Sequence, residues 1–366
     1  MTPMDVAGRV SRLRERLDDA GCDALLVTRM VNVRYLTGFS GSAALLLVRR
    51  DDMVFVTDGR YRDQSAEELG AAGVEAEIQV GVTGGAQREL LQQAADGIRR
   101  LGLEAASVTW GQQRRFASDW FPEAELVPTE GLVEDLRLVK DAGEVERMRA
   151  AAAAADAALA LVRSRLADGL TEEEFAIELD FEMRRQGASG PSFETIVASG
   201  PNGAKPHHRP SDRRIQAGEL IVLDFGAVVD GYCSDMTRTL CVGEPASDTA
   251  RRMVEVVAES QRAGVAAVRG GAEAKAVDDA CRSLIADAGW GDAFLHSTGH
   301  GVGLEIHEAP RVASTSSDTL VTGQVVTVEP GVYLPDVGGV RIEDTVVVTD
   351  EGCTVLTNAP KELLVA

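Results

Sequence analysis

Four acidic residues stand inside otherwise apolar, β-branched runs: Asp224 in LIVLDFG, Asp235 in YCSDMTRTL, Glu329 in VVTVEPGVY and Glu343 in GVRIEDTVVV. A carboxylate among Val, Leu, Ile and Phe on a strand is costly to bury without a partner, so the fold must either expose these groups or bring something positive to them. Asp230-Gly231, between the first two, reads as a tight hairpin turn. With these as the turn residues, Asp224 lies opposite Thr237 and Asp235 sits one same-face step further, so both carboxylates point to one side. A solvent-facing strand pair is the alternative. Glu329 and Glu343 flank the loop LPDVGG, which turns the chain back. Strand alternation puts Arg341 and Glu343 on one face and Asp344 on the other, which selects Glu343 over Asp344.

All five histidines, His207, His208, His296, His300 and His307, fall within one stretch of the 366 residues, and none precedes residue 207. Each sits beside glycine, proline or another histidine, or close to one, rather than within an apolar helix. Such clustering favours ligands and acid/base groups over isolated structural side chains. In HSTGHGVGLEIHEAP (296–310) His300 lies between two glycines. The glycines argue against a helix and so against the helical His-Glu-x-x-His zinc arrangement. They allow close backbone approach to a ligand, and His300 is expected to reach a metal from a strand or turn.

Asp224, Asp235, His300, Glu329 and Glu343 together form an oxygen-rich, hard ligand set that suits Mn or Co better than the thiolate-rich sites preferring Zn or Cu. The five cysteines, with no Cys-x-x-Cys pair, suggest neither a disulfide framework nor a thiolate site. Four carboxylates exceed the charge of one divalent ion and balance that of two. Bridging carboxylates would hold such ions about 3.5–4 Å apart, with a water between them acidified into a nucleophile. No other cofactor is indicated.

The formal net charge of −21 disfavours nucleic acid and anionic membrane surfaces as partners. No run of eighteen or more apolar residues suggests a membrane span. The opening MTPMDVAGRVSRLRERLDDAG suits an amphipathic helix better than a secretory signal, so a cytoplasmic location is expected.

Two regions are expected. Residues 1–135 alternate helical patterns with strand-like runs, ALLVT at 24–28, AALLLV at 43–48 and MVFVTD at 53–58, as an α/β unit would. Asp141 followed by Glu144 marks the start of a long alanine-rich helix and the boundary, and Thr171 with Glu174 starts a second helix ending at Gly187. Residues 136–366 then turn to β-branched strands and glycine-rich turns, interrupted by helical segments near 246–289, an α+β pattern.

DFG…SDMTRT, TGHGVGLEIHEAP, VEPGVY and RIEDTVVV, in this order, resemble the metal-binding motifs of the pita-bread metallopeptidases, in the prolidase and Xaa-Pro aminopeptidase branch. VNVRYLTGFSGS and TDGRY resemble that branch's smaller creatinase-type N-terminal domain. The resemblance implies an α+β pita-bread catalytic domain after an α/β creatinase-type domain. Its five metal ligands would be Asp224, Asp235, His300, Glu329 and Glu343, with Asp235 and Glu343 bridging two divalent ions, Mn foremost and Co or Zn as alternatives. It implies that His207 and His307 contact substrate or stabilise the reacting carbonyl, and that His296 and Arg341 are accessory groups of the active site. His208 stands where family members often have glycine; its role is open, a solvent-exposed side chain being the simplest alternative. The implied activity is hydrolysis of the Xaa-Pro bond of dipeptides or peptide N-termini by a homodimeric enzyme. A broader dipeptidase, a methionine-type aminopeptidase and a non-catalytic peptide-binding module on the same fold are the alternatives.

Overall fold

Both capping patterns open helices in the computed structural model, which describes residues 1–365. Asp141 and Glu144 exchange backbone and side-chain hydrogen bonds of 2.9 Å each, starting the helix Ala142–Val162. Thr171 and Glu174 do the same at 2.8 and 3.1 Å for the helix Glu172–Arg185, and Gly187, at φ 102°, follows its end.

The chain divides into two compact units, Pro3–Arg137 and Leu138 to the C-terminus, the latter joined by Met1–Thr2. The smaller unit is a six-stranded mixed sheet in the order 77–80, 53–57, 44–49, 24–27, 100–104, 125–129. Its second, third and fourth members pair antiparallel and the others parallel. Leu26, Leu47, Val54, Leu101 and Phe116 fill its core.

The larger unit is built mainly on two sheets, of four and five strands, each covered by a helix pair, together with a three-stranded and a two-stranded sheet. Strands Ile196–Ser199, Leu220–Phe225, Met236–Val242 and Leu364–Val365 form one sheet. The helices 142–162 and 172–185 pack on it through Ala155, Leu159, Phe175 and Leu179 against Ile221, Leu223 and Leu240. Strands Glu308–Val312, Gly299–Gly301, Val325–Val328, Asp344–Val348 and Cys353–Val355 form the other. Helices Asp248–Ala267 and Ala274–Asp287 cover that sheet through Met253, Val257, Val277 and Ile285 against Val326, Val328 and Val346. This mixed architecture is the pita-bread fold implied by the motifs.

The sheets are stitched at a seam. Glu343 N–H donates to Thr237 O at 3.1 Å, Thr239 Oγ1 to Arg341 O at 2.8 Å, and Thr345 Oγ1 to Asp235 O at 2.8 Å. The strand ends that carry the acidic residues therefore meet rather than face solvent. Among the described residues no helix is long and apolar enough to cross a membrane.

Candidate metal centre

The expected hairpin register is observed. Asp230 and Gly231 adopt positive φ of 47° and 79°, a turn only Gly and a few short polar residues tolerate. Val229 then pairs with Tyr232, and Asp224 with Thr237. Asp224 is the penultimate residue of one strand, Asp235 precedes its partner strand, and Glu343 lies between Arg341 and the next strand. Carboxylate oxygens of these three all lie within 4.8 Å of one another. The solvent-facing alternative fails, since Asp235 is 5% exposed and Glu343 1%.

His300 and Glu329 complete the cluster. His300 Nε2 stands 3.5 Å from Asp235 Oδ2 and 3.4 Å from Glu329 Oε1. Its Nδ1 faces the carbonyl of Gly301 at 3.0 Å. A carbonyl only accepts, so that contact assigns the proton to Nδ1 and leaves the Nε2 lone pair aimed at two carboxylates. Burial pushes the imidazole below its ordinary value, which keeps it neutral. Thr327 ties the two residues, receiving a bond from His300 N–H and donating to Glu329 Oε1, both at 3.1 Å. The flanking glycines serve a different purpose from the close ligand approach expected of them. A Cβ on Gly299 would lie 2.0 Å from Thr327 O and one on Gly301 2.1 Å from Ala309 O, so it is the neighbouring strands that come close.

The charge of the cluster is poorly balanced by the protein's own groups. Burial and then the neighbouring carboxylates push Asp235 and Glu343 well above the usual range. Burial raises Glu329 to about 8 even with Arg341 nearby. Asp224 Oδ1 and Glu343 Oε1 are buried with no hydrogen-bond partner. Among the described residues Arg341 is the cation that offsets this charge, with Nη2 at 2.5 Å from Asp224 Oδ2. A lone pair facing carboxylates, orphaned oxygens and an acidic excess fit divalent cations, which would take four hard carboxylates, their protons displaced on binding, and one neutral imidazole nitrogen as ligands.

A hydrogen-bonded chain runs away from the cluster. Arg341 Nη1 donates to the Tyr333 hydroxyl at 2.7 Å, and that hydroxyl lies 2.8 Å from His296 Nε2. His296 Nδ1 faces Ser297 O at 2.8 Å, so Nδ1 holds the proton and Tyr333 donates to Nε2. Burial, and then Arg341, depress His296 to about 4, while burial lifts the Tyr333 phenol to about 12. Tyr333 was not anticipated. The signal was present, since period-two alternation from Glu329 through Gly331 reaches Tyr333.

A cavity of about 710 Å³ opens over the cluster, lined by Asp224, Asp235, His300, Glu329, Arg341 and Glu343 together with His207, His296 and His307. All nine residues singled out in the sequence thus reach one place. His307 stacks edge-on against His300, ring centres 4.3 Å apart, and burial, then the His300 ring, lower its affinity for a proton. His208 departs from its simplest reading. It is not solvent-exposed but only 16% accessible, with Nε2 3.2 Å from the fully buried Glu172. Asp344 faces away from the cluster, as strand alternation requires, and is held by Arg238, Gln261, Thr357 and Lys361.

Buried carboxylates and a neutral imidazole converging beside an open cavity are the makings of a metal-dependent hydrolase. The chain belongs to Metallopeptidase family M24, which matches residues 146–350, and residues 9–139 match the Creatinase/Prolidase N-terminal domain. It is a metallopeptidase. The chain is similar to a solved Xaa-Pro dipeptidase from Bacillus anthracis, with 40% identity, 98% and 99% of the two chains covered and a TM-score of 0.91. It is similar to an X-Pro aminopeptidase structure from Thermotoga maritima, at 35% identity, 96% and 99% coverage and a TM-score of 0.88. An Xaa-Pro dipeptidase of Pyrococcus horikoshii is 35% identical over 99% of this chain and 100% of its own length.

Proposed function

We propose that this chain hydrolyses the Xaa-Pro bond of dipeptides or of peptide N-termini, with two divalent cations held by Asp224, Asp235, His300, Glu329 and Glu343. The observation that carries the reading is the pair of buried, partnerless oxygens, Asp224 Oδ1 and Glu343 Oε1, in a cluster with more negative charge than Arg341 can offset. Asp235 and Glu343, the most buried carboxylates of the cluster, would be shared between the ions, as the resemblance to the family implies. Such ions supply Lewis acidity, which acidifies a water and polarises a carbonyl. The protein's own groups do the rest. His207, exposed at the cavity wall, and His307 beside His300 donate to the oxygen on which charge develops. Arg341, fixed by Tyr333 and Thr237, orients Asp224. His296 is neutral and locks the Tyr333 hydroxyl.

The Xaa-Pro assignment draws support from relatives named as dipeptidase and as aminopeptidase. Manganese, a homodimer and a cytoplasmic location belong to the same proposal. The test is a substrate panel: protein stripped by chelation and restored with Mn²⁺ is given a Xaa-Pro dipeptide, a Xaa-Pro tripeptide and a proline-free dipeptide. Cleavage of a Xaa-Pro substrate that vanishes on chelation and returns with metal is expected. Equal cleavage of the proline-free dipeptide would replace the reading with a broad dipeptidase.

A further inference from the structure

His207 sits in the segment between Ser199, the last residue of one strand, and Ser211, and this segment is tied to a single side chain. Glu172, the first residue of the helix 172–185, is completely buried. One of its oxygens, Oε1, accepts from Ser199 N–H at 2.7 Å and Ser199 Oγ at 2.8 Å. The other, Oε2, accepts from Ser211 Oγ at 2.6 Å, Ser211 N–H at 3.2 Å and His208 Nε2 at 3.2 Å. Asn202 Nδ2 reaches both oxygens, at 3.2 and 3.0 Å. Arg213 Nη1 donates to Ser199 Oγ at 2.7 Å, which turns that hydroxyl's proton toward Glu172. The backbone is tied as well, with Glu172 N–H donating to Arg213 O at 3.0 Å and Glu173 N–H to Ser211 O at 3.1 Å.

A buried carboxylate whose partners are neutral donors and one imidazole is unusual in a core and must be held ionised by other means. Burial pushes it up, but the hydrogen bonds from Ser211, Ser199 and Asn202 outweigh burial and bring it below its ordinary value. Its place in the first turn adds the positive end of the helix dipole. Six donor groups converge on Glu172, two from each end of the 199–211 segment, one from Asn202 and one from the residue next to His207. On the cavity side the same segment is met by Arg341, whose Nη1 donates to Pro206 O at 3.3 Å.

We propose that Glu172 is a positioning residue for His207, fixing the 199–211 segment so that His207 faces the cavity over the acidic cluster, with His208 as one of its tethers. This rests on the role given to His207 above, and it explains why a second histidine adjoins the first.

A double-variant cycle tests it, with metal content measured for every protein. His207→Ala alone is expected to lower turnover by about 100- to 1000-fold with metal content unchanged. Glu172→Gln keeps the shape, but its amide turns an NH₂ toward donors, so kcat/KM should fall on the order of 10- to 100-fold through misplacement of His207. In the His207→Ala background the same change should cost no more than about twofold, because the group it positions is already gone. If Glu172→Gln does not accumulate as folded protein, Ser211→Ala enters the same cycle with a smaller loss of the same pattern. Equal losses in both backgrounds, or no loss in either, would overturn the proposal while leaving His207 in place. A His207→Ala protein with full turnover would remove the role of His207 and the proposal with it, and that result is visible in the single variant.

Discussion

Glu343 and Asp344 are neighbours in the chain, each 1% exposed, and their carboxylates meet opposite fates. Asp344 receives Arg238 Nη2 and Thr357 Oγ1 on one oxygen, both at 3.0 Å. Gln261 Nε2, at 2.9 Å, and Lys361 Nζ serve the other. The protein supplies its cations. Glu343 has Thr237 Oγ1 at 2.7 Å on one oxygen and a buried second oxygen without a partner, and it is pushed well above the usual range by burial and by Glu329 and Asp224. Burial alone therefore does not mark a functional carboxylate. What distinguishes one is burial without compensation from the protein itself, because a group that costs folding energy in isolation needs something outside the chain to offset it.

Breaking each member of the pair should separate the two kinds of site. Glu343→Ala should lower peptidase activity by about 1000-fold or more, several kcal/mol of barrier at about 1.4 kcal/mol per tenfold, and reduce bound metal. It should not destabilise the metal-free protein, since it removes a charge that repels its neighbours. Asp344→Ala should cost about 3–5 kcal/mol of unfolding free energy, because Arg238 stays buried without its counter-ion, while metal stoichiometry is retained. Denaturant unfolding of metal-free and metal-loaded protein reads both. If Glu343→Ala destabilised the metal-free chain as much as Asp344→Ala, the contrast would collapse.

A smaller effect sharpens the same comparison. In metal-free protein Glu329 is raised from 4.5 to about 8, by burial first, and Asp235 and Glu343 are raised as well. The folded cluster then binds more protons than the same residues do unfolded, so its contribution to stability is fully present below about pH 4.5 and is lost as pH rises through about 8. Unfolding midpoints across that window should fall with rising pH in chelated protein and fall less once Mn²⁺ is restored. A flat profile without metal would mean that the cluster is compensated after all.

Much of this contrast was legible in the residues. The Asp230-Gly231 turn fixes one register, so the placement of Asp224 opposite Thr237 followed from counting, and period-two alternation separated Glu343 from Asp344. Capping pairs located two helix starts within a residue. What counting could not reach were contacts between distant segments. Glu172 reads locally as one of three glutamates after a helix cap, and nothing near it points to His208, 36 positions away. Its neighbour Glu174 makes the capping box, whereas Glu172 turns inward to the 199–211 segment. The glycines beside His300 were similarly ambiguous, because a sequence cannot say whether a missing Cβ makes room for a ligand or for another strand.

The most direct measurement is calorimetric titration of metal-free protein with Mn²⁺, followed in parallel by hydrolysis of a Xaa-Pro dipeptide. We predict saturation at two ions per chain, with activity appearing only as the site fills, and incomplete filling in Glu343→Ala. Saturation at one ion with full activity, or activity that persists with no metal bound, would contradict the account.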